Sequence, residues 1–238
     1  MFYNPVVQYS LDFGTPNQLD VIHKRLKAHY GSPGPGVRFS PVGMLIMAML
    51  GSRTRDPVSL RAFRNLRQRF GTAQALAYAE PEDVYGCIRE VTYAETYAIY
   101  IPQALQAIIR RFGTLDLESL RGMAVEQALM WLQGLRGVGP KISACVLNFS
   151  ELQMRALVID THYLRFASRF ELVHADMPAN LAVRAIQRLI PNTWLATDTE
   201  QHHVLVKRLA QEFCVATSPQ CHGCPLRNIC PYSKRLDS

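Results

Sequence analysis

The sequence predicts an all-α protein built as two helical domains. Apolar residues recur at helical spacing along most of the chain, and the segments end at recognisable caps and breakers. No stretch of useful length alternates apolar and polar residues with the period of a strand. The run Ser32-Pro33-Gly34-Pro35-Gly36 cannot continue a helix and reads as a linker crossing between domains. A chain of 238 residues, 48% of them hydrophobic, is long enough for one or two cores.

Thr15-Pro16-Asn17-Gln18 reads as a helix start, with Thr15 as cap, Pro16 in the first turn and Gln18 closing a capping box. Leu19, Ile22, Leu26 and Tyr30 form its apolar face, and Gly31 stops it. Ser40-Pro41 starts a second helix that is apolar nearly all round from Met44 to Leu50. Such a helix belongs inside a helical domain, with its methionines as core filler. Gly51 to Asp56 is a polar break. Asp56-Pro57 then opens a helix with Leu60, Phe63, Leu66 and Phe70 inside and Arg61, Arg64, Arg67 and Arg69 on a solvated basic face.

Short helices are expected near Ala73 to Tyr78 and Pro81 to Arg89, the second carrying Cys87 as an unliganded core thiol. Glu90 to Ala94 is a turn. Ala94 to Phe112 is the longest helix, kinked at Pro102 and ended by Gly113, and Leu115 to Leu120 is irregular. Ala124 to Leu132 leads into Leu135-Arg136-Gly137-Val138-Gly139-Pro140-Lys141. There two glycines allow a tight hairpin with positive φ, and Pro140 suits the first turn of the next helix. The free N–H groups of that turn form an anion site, and no nucleotide fingerprint competes for it, so the natural anion is a nucleic-acid phosphate. Lys141 follows in the same turn, where the helix dipole works against its charge and favours a neutral, nucleophilic amine. The residues alone equally admit a phosphate-binding or solvated lysine.

After the buried-looking run Ala156 to Ile159, Asp160 reads as a helix cap. Beside a reactive lysine, its carboxylate could also stabilise a sugar cation or move a proton. Amphipathic helices are expected from Ala179 to Ile190 and within Trp194 to Phe213. The second carries His202 and His203, which cannot share one helical face as a metal pair and read as a packing or surface pair. Cys214, Cys221, Cys224 and Cys230 then follow as C-x6-C-x2-C-x5-C. Four thiolates so spaced can close around zinc or an iron–sulfur cluster.

Lys and Arg number 26 against 19 Asp and Glu, a net charge of +7, compatible with a polyanionic partner. No run approaches the roughly 18 apolar residues of a membrane span, so no membrane partner is expected. Met1 to Pro5 has neither the charged leader nor the apolar core of a signal peptide. A cytoplasmic protein, nucleoid-associated in a bacterium, is the expectation, and there cysteine clusters usually mean metal.

Three motifs in this order, Leu135 to Lys141, Ile159-Asp160-Thr161-His162 and the four cysteines, resemble the endonuclease III family of DNA glycosylases. The resemblance runs from about Ser40 to Tyr232. It implies a helical-barrel domain over residues 36–153 containing a helix-hairpin-helix. It further implies a second domain formed by residues 1–35 with 154–238, and a DNA groove between the two. The cysteine spacing matches the family's [4Fe–4S] loop, here residues 214–230, in which Arg227 would meet phosphates. The implied activity is that of a bifunctional glycosylase and AP lyase, acting as a monomer on double-stranded DNA with a damaged base or an abasic site. Such an enzyme flips the nucleotide out, with an oxidised pyrimidine the expected lesion.

Lys141 would form the Schiff base and Asp160 would assist. Gly137, Val138, Gly139 and His162 would hold DNA. Base-only members of the fold, such as the adenine glycosylases, lack lysine at the Lys141 position. Two positions depart from the pattern. Arg53 stands where the family has Gln entering the space left by the flipped nucleotide, and Tyr93 takes the place of a wedging Leu. These departures leave open a glycosylase of altered lesion specificity and a non-catalytic binder of damaged or branched DNA. The cysteines by themselves also admit a zinc-bound helical DNA-interaction module.

Overall fold

The computed structural model describes residues 17–34 and 36–236. Helices α1 (Gln18–Tyr30), α2 (Pro41–Leu50), α3 (Asp56–Phe70), α4 (Ala73–Ala77), α5 (Pro81–Ile88) and α6 (Ala94–Phe112) come first. They are followed by α7 (Val125–Gln133), α8 (Pro140–Phe149), α9 (Thr161–Arg169), α10 (Ala179–Arg188), α11 (Ala196–Glu212) and α12 (Pro231–Leu236). Among the described residues the sole β-type pairing is an isolated bridge between Phe39 and Ser150. The fold is all-α, as the periodicity predicted.

Two apolar clusters form. The first gathers α2 to α8 and continues to Val158. Its centre is α2, which buries eight of its ten residues and so explains why that helix is apolar nearly all round. Ser40 caps α2, its Oγ accepting from Gly43 N at 3.2 Å. The second cluster joins Leu19, Ile22 and Leu26 of α1 to Tyr163 and Phe166 of α9, Ile186 of α10, Trp194, and Leu205 and Leu209 of α11. The chain thus leaves the second cluster after α1, builds the whole of the first, and returns. The stretch before α2 is fastened on the way: Arg38 donates to Glu200 of α11 and to the Asn148 carbonyl of α8.

Several local expectations change. Asn17 caps α1, its Oδ1 accepting from Leu19 N at 2.9 Å, so the helix starts at Gln18; Thr15, Pro16 and Pro35 lie outside the described residues. The asparagine oxygen reaches the first-turn amides directly, which removes the need for a capping box. α6 runs unbroken through Pro102, which is buried, and stops at Gly113 in the left-handed conformation. Glu118–Gly122 forms a short 3-10 turn that overlaps the end of the stretch read as irregular. Gly137 alone of the hairpin glycines has positive φ (78°), while Gly139 is extended.

His202 and His203 are a packing pair and not a surface pair. His202 is fully buried against Trp194, His23 and the Tyr163 hydroxyl, whereas His203 meets Phe149 and the Val158 carbonyl.

Candidate functional site

The hairpin is shaped by one close approach. A side chain at Gly137 would bring a Cβ within 2.8 Å of Tyr100 on α6, and the backbone there is left-handed, so only glycine fits. The Arg136 guanidinium covers the same ring, 5.5 Å from its centroid. Val138 turns its side chain into the first cluster and its amide to the Leu135 carbonyl at 3.1 Å. What the hairpin offers outward is therefore backbone at Gly139, which has nothing within 4 Å of its Cβ position, and the first-turn amides of α8. Pro140 occupies the first turn as expected, and Lys141 follows it, partly buried and without an ion pair among the described residues.

Asp160 is set by an extended passage between the clusters. Residues Ala156 to Ile159 are all buried. Gln187 of α10 pairs with both the amide and the carbonyl of Leu157, and His203 of α11 with the Val158 carbonyl at 2.8 Å. Asp160 then caps α9, its Oδ1 accepting from Tyr163 N at 2.8 Å, which leaves Oδ2 with no hydrogen bond among the described residues.

Lys141 and Asp160, 19 positions apart in the chain, act on the same two buried groups. Burial pushes the Cys145 thiol up to about 11, with Lys141 and Lys207 drawing it back and Asp160 adding to the rise. Burial likewise brings His203 down to about 4, against the pull of Asp160 and with the push of Lys207 and Lys141. The two lysines, the aspartate and these two groups thus share one region between α8, α9 and α11. Lys207 and His203 carried no motif in the sequence. Their i, i+4 spacing on an amphipathic helix was the available signal, and it does not say which neighbours the shared face meets.

A second constellation lies on the loops 51–55 and 90–93. Arg53 is exposed and left-handed, with φ 54°. Thr92 donates its hydroxyl to the Arg53 carbonyl at 2.9 Å and its amide to Thr54 Oγ1 at 3.1 Å. Tyr93 stands next to this clasp, 39% exposed, edge-on to Tyr97 at 6.1 Å. The structure therefore brings Arg53 and Tyr93 together on the surface.

The four C-terminal cysteines line one small cavity of about 20 Å³, together with Phe166, Phe170, Phe213, Leu226, Arg169 and Arg227. Burial, with the Cys230, Cys214 and Cys221 thiols adding to it against a Leu226 backbone contact, pushes Cys224 up to about 11. Arg169 donates to Cys214 Sγ at 3.4 Å and to the Val215 and Ala216 carbonyls, and Arg165 to the Cys214 and Ala210 carbonyls. Arg165 also meets His162 Nδ1 at 3.2 Å, so His162 is linked to the helix that carries the cysteine loop. Among the described residues, no three Cys, His, Asp or Glu groups converge on a position for a single ion.

Residues 46–192 match the family model described as "HhH-GPD superfamily base excision DNA repair protein", a span that holds the hairpin, Lys141 and Asp160 and ends before the cysteines. The endonuclease III of Thermotoga maritima is 28% identical over 82% of this chain and 84% of its own. The solved structure of a trapped endonuclease III–DNA covalent intermediate superposes with a TM-score of 0.72 at 20% identity, covering 93% of this chain and 98% of the other. A thermostable thymine-DNA glycosylase superposes with a TM-score of 0.73 at 15% identity, covering 91% and 97%. The chain belongs to the HhH-GPD superfamily of base excision DNA repair proteins.

Proposed function

We propose that this enzyme is a bifunctional glycosylase acting as a monomer on double-stranded DNA, with Lys141 as nucleophile and Asp160 as its partner. The observation that supports the reading is that Lys141, in the first turn of α8, and Asp160, the cap of α9, both act on Cys145 of α8 and His203 of α11. A fold neighbour was trapped as a covalent DNA intermediate, which supports amine chemistry on this scaffold.

The Lys141 amine attacks C1′ of the flipped nucleotide, and the glycosidic bond breaks with its electron pair leaving on the base. Asp160 stabilises the sugar cation at that moment. Loss of the amine proton and ring opening give an imine. Removal of a C2′ proton then expels the 3′ phosphate and cuts the strand. The amides of the α8 first turn hold a backbone phosphate meanwhile. Arg53 and Tyr93 enter the duplex where the nucleotide was, and His162 and Arg227 add contacts along the groove. An oxidised pyrimidine is the proposed lesion.

We further propose that Cys214, Cys221, Cys224 and Cys230 hold a [4Fe–4S] cluster. The four thiols line one pocket, and the Arg169 N–H facing Cys214 Sγ suits the thiolate ligands of a cluster, whose sulfurs accept such hydrogen bonds. Such a cluster supplies cross-linking of the loop onto α9 and α11, and no step of the reaction runs through it.

Borohydride trapping tests the catalytic reading. Wild type should give a covalent adduct with abasic duplex, and Lys141→Gln should bind that duplex yet give none. Tight binding by wild type without any adduct would leave a non-catalytic damage binder as the better account.

A further inference from the structure

The face of α11 that packs against α8 carries a second lysine. Thr199, His203 and Lys207 lie at i, i+4 and i+8 and form one stripe. Thr199 receives a hydrogen bond from Asn148 near the end of α8 at 2.9 Å. One turn later His203 meets Phe149 of α8 and the Val158 carbonyl, two residues before Asp160. Lys207 lies one turn beyond that and acts on Cys145, one turn from Lys141. Lys207 therefore lies on the face of α11 turned toward α8 and the passage that ends at Asp160.

The charge balance there is uneven. Lys207 is partly buried and forms no ion pair among the described residues, and the same holds for Lys141. Asp160 is the one carboxylate shown acting on this cluster, and its bonded oxygen serves the α9 cap. Two ammonium groups drawn partly out of water against one carboxylate leave a positive charge that an anion from outside would neutralise.

We infer that Lys207 is a substrate-contacting residue that binds a DNA phosphate beside the flipped nucleotide. The inference rests on the proposed catalytic role of Lys141, since that role brings DNA to this region. Lys207 takes no part in bond making. It supplies one charge-assisted contact to the strand being cut, separate from the α8 amides.

The experiment measures affinity for a duplex carrying a tetrahydrofuran abasic analogue, which cannot form an imine, as a function of salt. Wild type, Lys207→Gln and Lys207→Arg are compared, with thermal midpoints confirming that all three fold. Lys207→Gln should weaken binding on the order of tenfold at low salt. It should also flatten the slope of log affinity against log salt by about one. Lys207→Arg should restore both, because either cation can meet a phosphate. An unchanged salt slope in Lys207→Gln overturns the inference even when wild type traps normally. Absence of a wild-type adduct defeats the catalytic reading instead, whatever Lys207 does.

Discussion

The Thr92 hydroxyl donates to the Arg53 carbonyl at 2.9 Å and so clasps the 51–55 loop to the 90–93 loop while Arg53 stands in the left-handed region. That conformation costs a non-glycine residue about 1–2 kcal/mol, and the clasp holds it. The result is an exposed arginine on a loop fastened to the residue before Tyr93. A planar cation with five donors suits the acceptor edge of guanine.

The enzyme should therefore prefer a damaged pyrimidine opposite guanine. Arg53→Gly should keep or slightly raise stability, since glycine relieves the backbone strain, and abolish that preference. Single-turnover rates opposite each of the four bases decide the matter. Equal rates in wild type, unchanged in Arg53→Gln, would discard the role given to Arg53.

Asp160 has two duties that substitution can separate. Asparagine caps a helix as well as aspartate does, so Asp160→Asn should retain the bond from Tyr163 N and full stability. Its reaction rate should still fall on the order of 10²-fold or more, as for loss of one positioned charge. Asp160→Ala should lose the cap too, at about 1 kcal/mol. If the Asn variant reacts at the wild-type rate, capping is the whole function of this residue.

Protein purified without oxygen should be brown and contain roughly four irons and four sulfides per chain. Cys221→Ser should lower solubility and DNA binding, because ligand binding stabilises the fold of such a loop. Arg169→Leu should leave the metal content intact but speed cluster loss in air, since it removes a donor facing Cys214 Sγ and two loop carbonyl contacts. Stoichiometric zinc in colourless protein would contradict all of this.

Acid should destabilise the second cluster. Burial holds His23, His202 and His203 below the usual histidine range. A histidine depressed by folding takes its proton more readily in the unfolded chain. Its full stability is present above the unfolded value of about 6.5 and is lost as pH falls below it, over the window down to about 4 for His203. Urea midpoints should fall between about pH 7.5 and pH 5. Both ring nitrogens of His23 are buried without a hydrogen-bond partner among the described residues. His23→Leu should add about 1 kcal/mol and flatten the pH slope. An identical slope in this variant would show that His23 does not titrate on unfolding.

The helices and their ends were legible in the chain because caps, breakers and apolar periodicity are local. Ser40 before α2, Pro140 opening α8, Asp160 capping α9 and Gly113 closing α6 all behave as their residue types dictate. The cap of α1 was misplaced because Thr15 and Asn17 are both good caps, and no local rule chooses between them. Sequence order likewise singled out Lys141, Asp160 and the four cysteines as the candidates for chemistry.

Tertiary structure alone decided which distant groups meet. It joined Arg53 to Thr92 through a side chain whose partner is 39 positions away. It turned Val138 inward and put Tyr100 under Gly137, so that the hairpin's available surface is backbone. It set the face of α11 that carries Lys207 against α8 and the passage to Asp160 through the Thr199–Asn148 and His203–Val158 contacts. Periodicity reports that a helix has a face. Only packing, which depends on every other helix at once, settles what that face is turned toward.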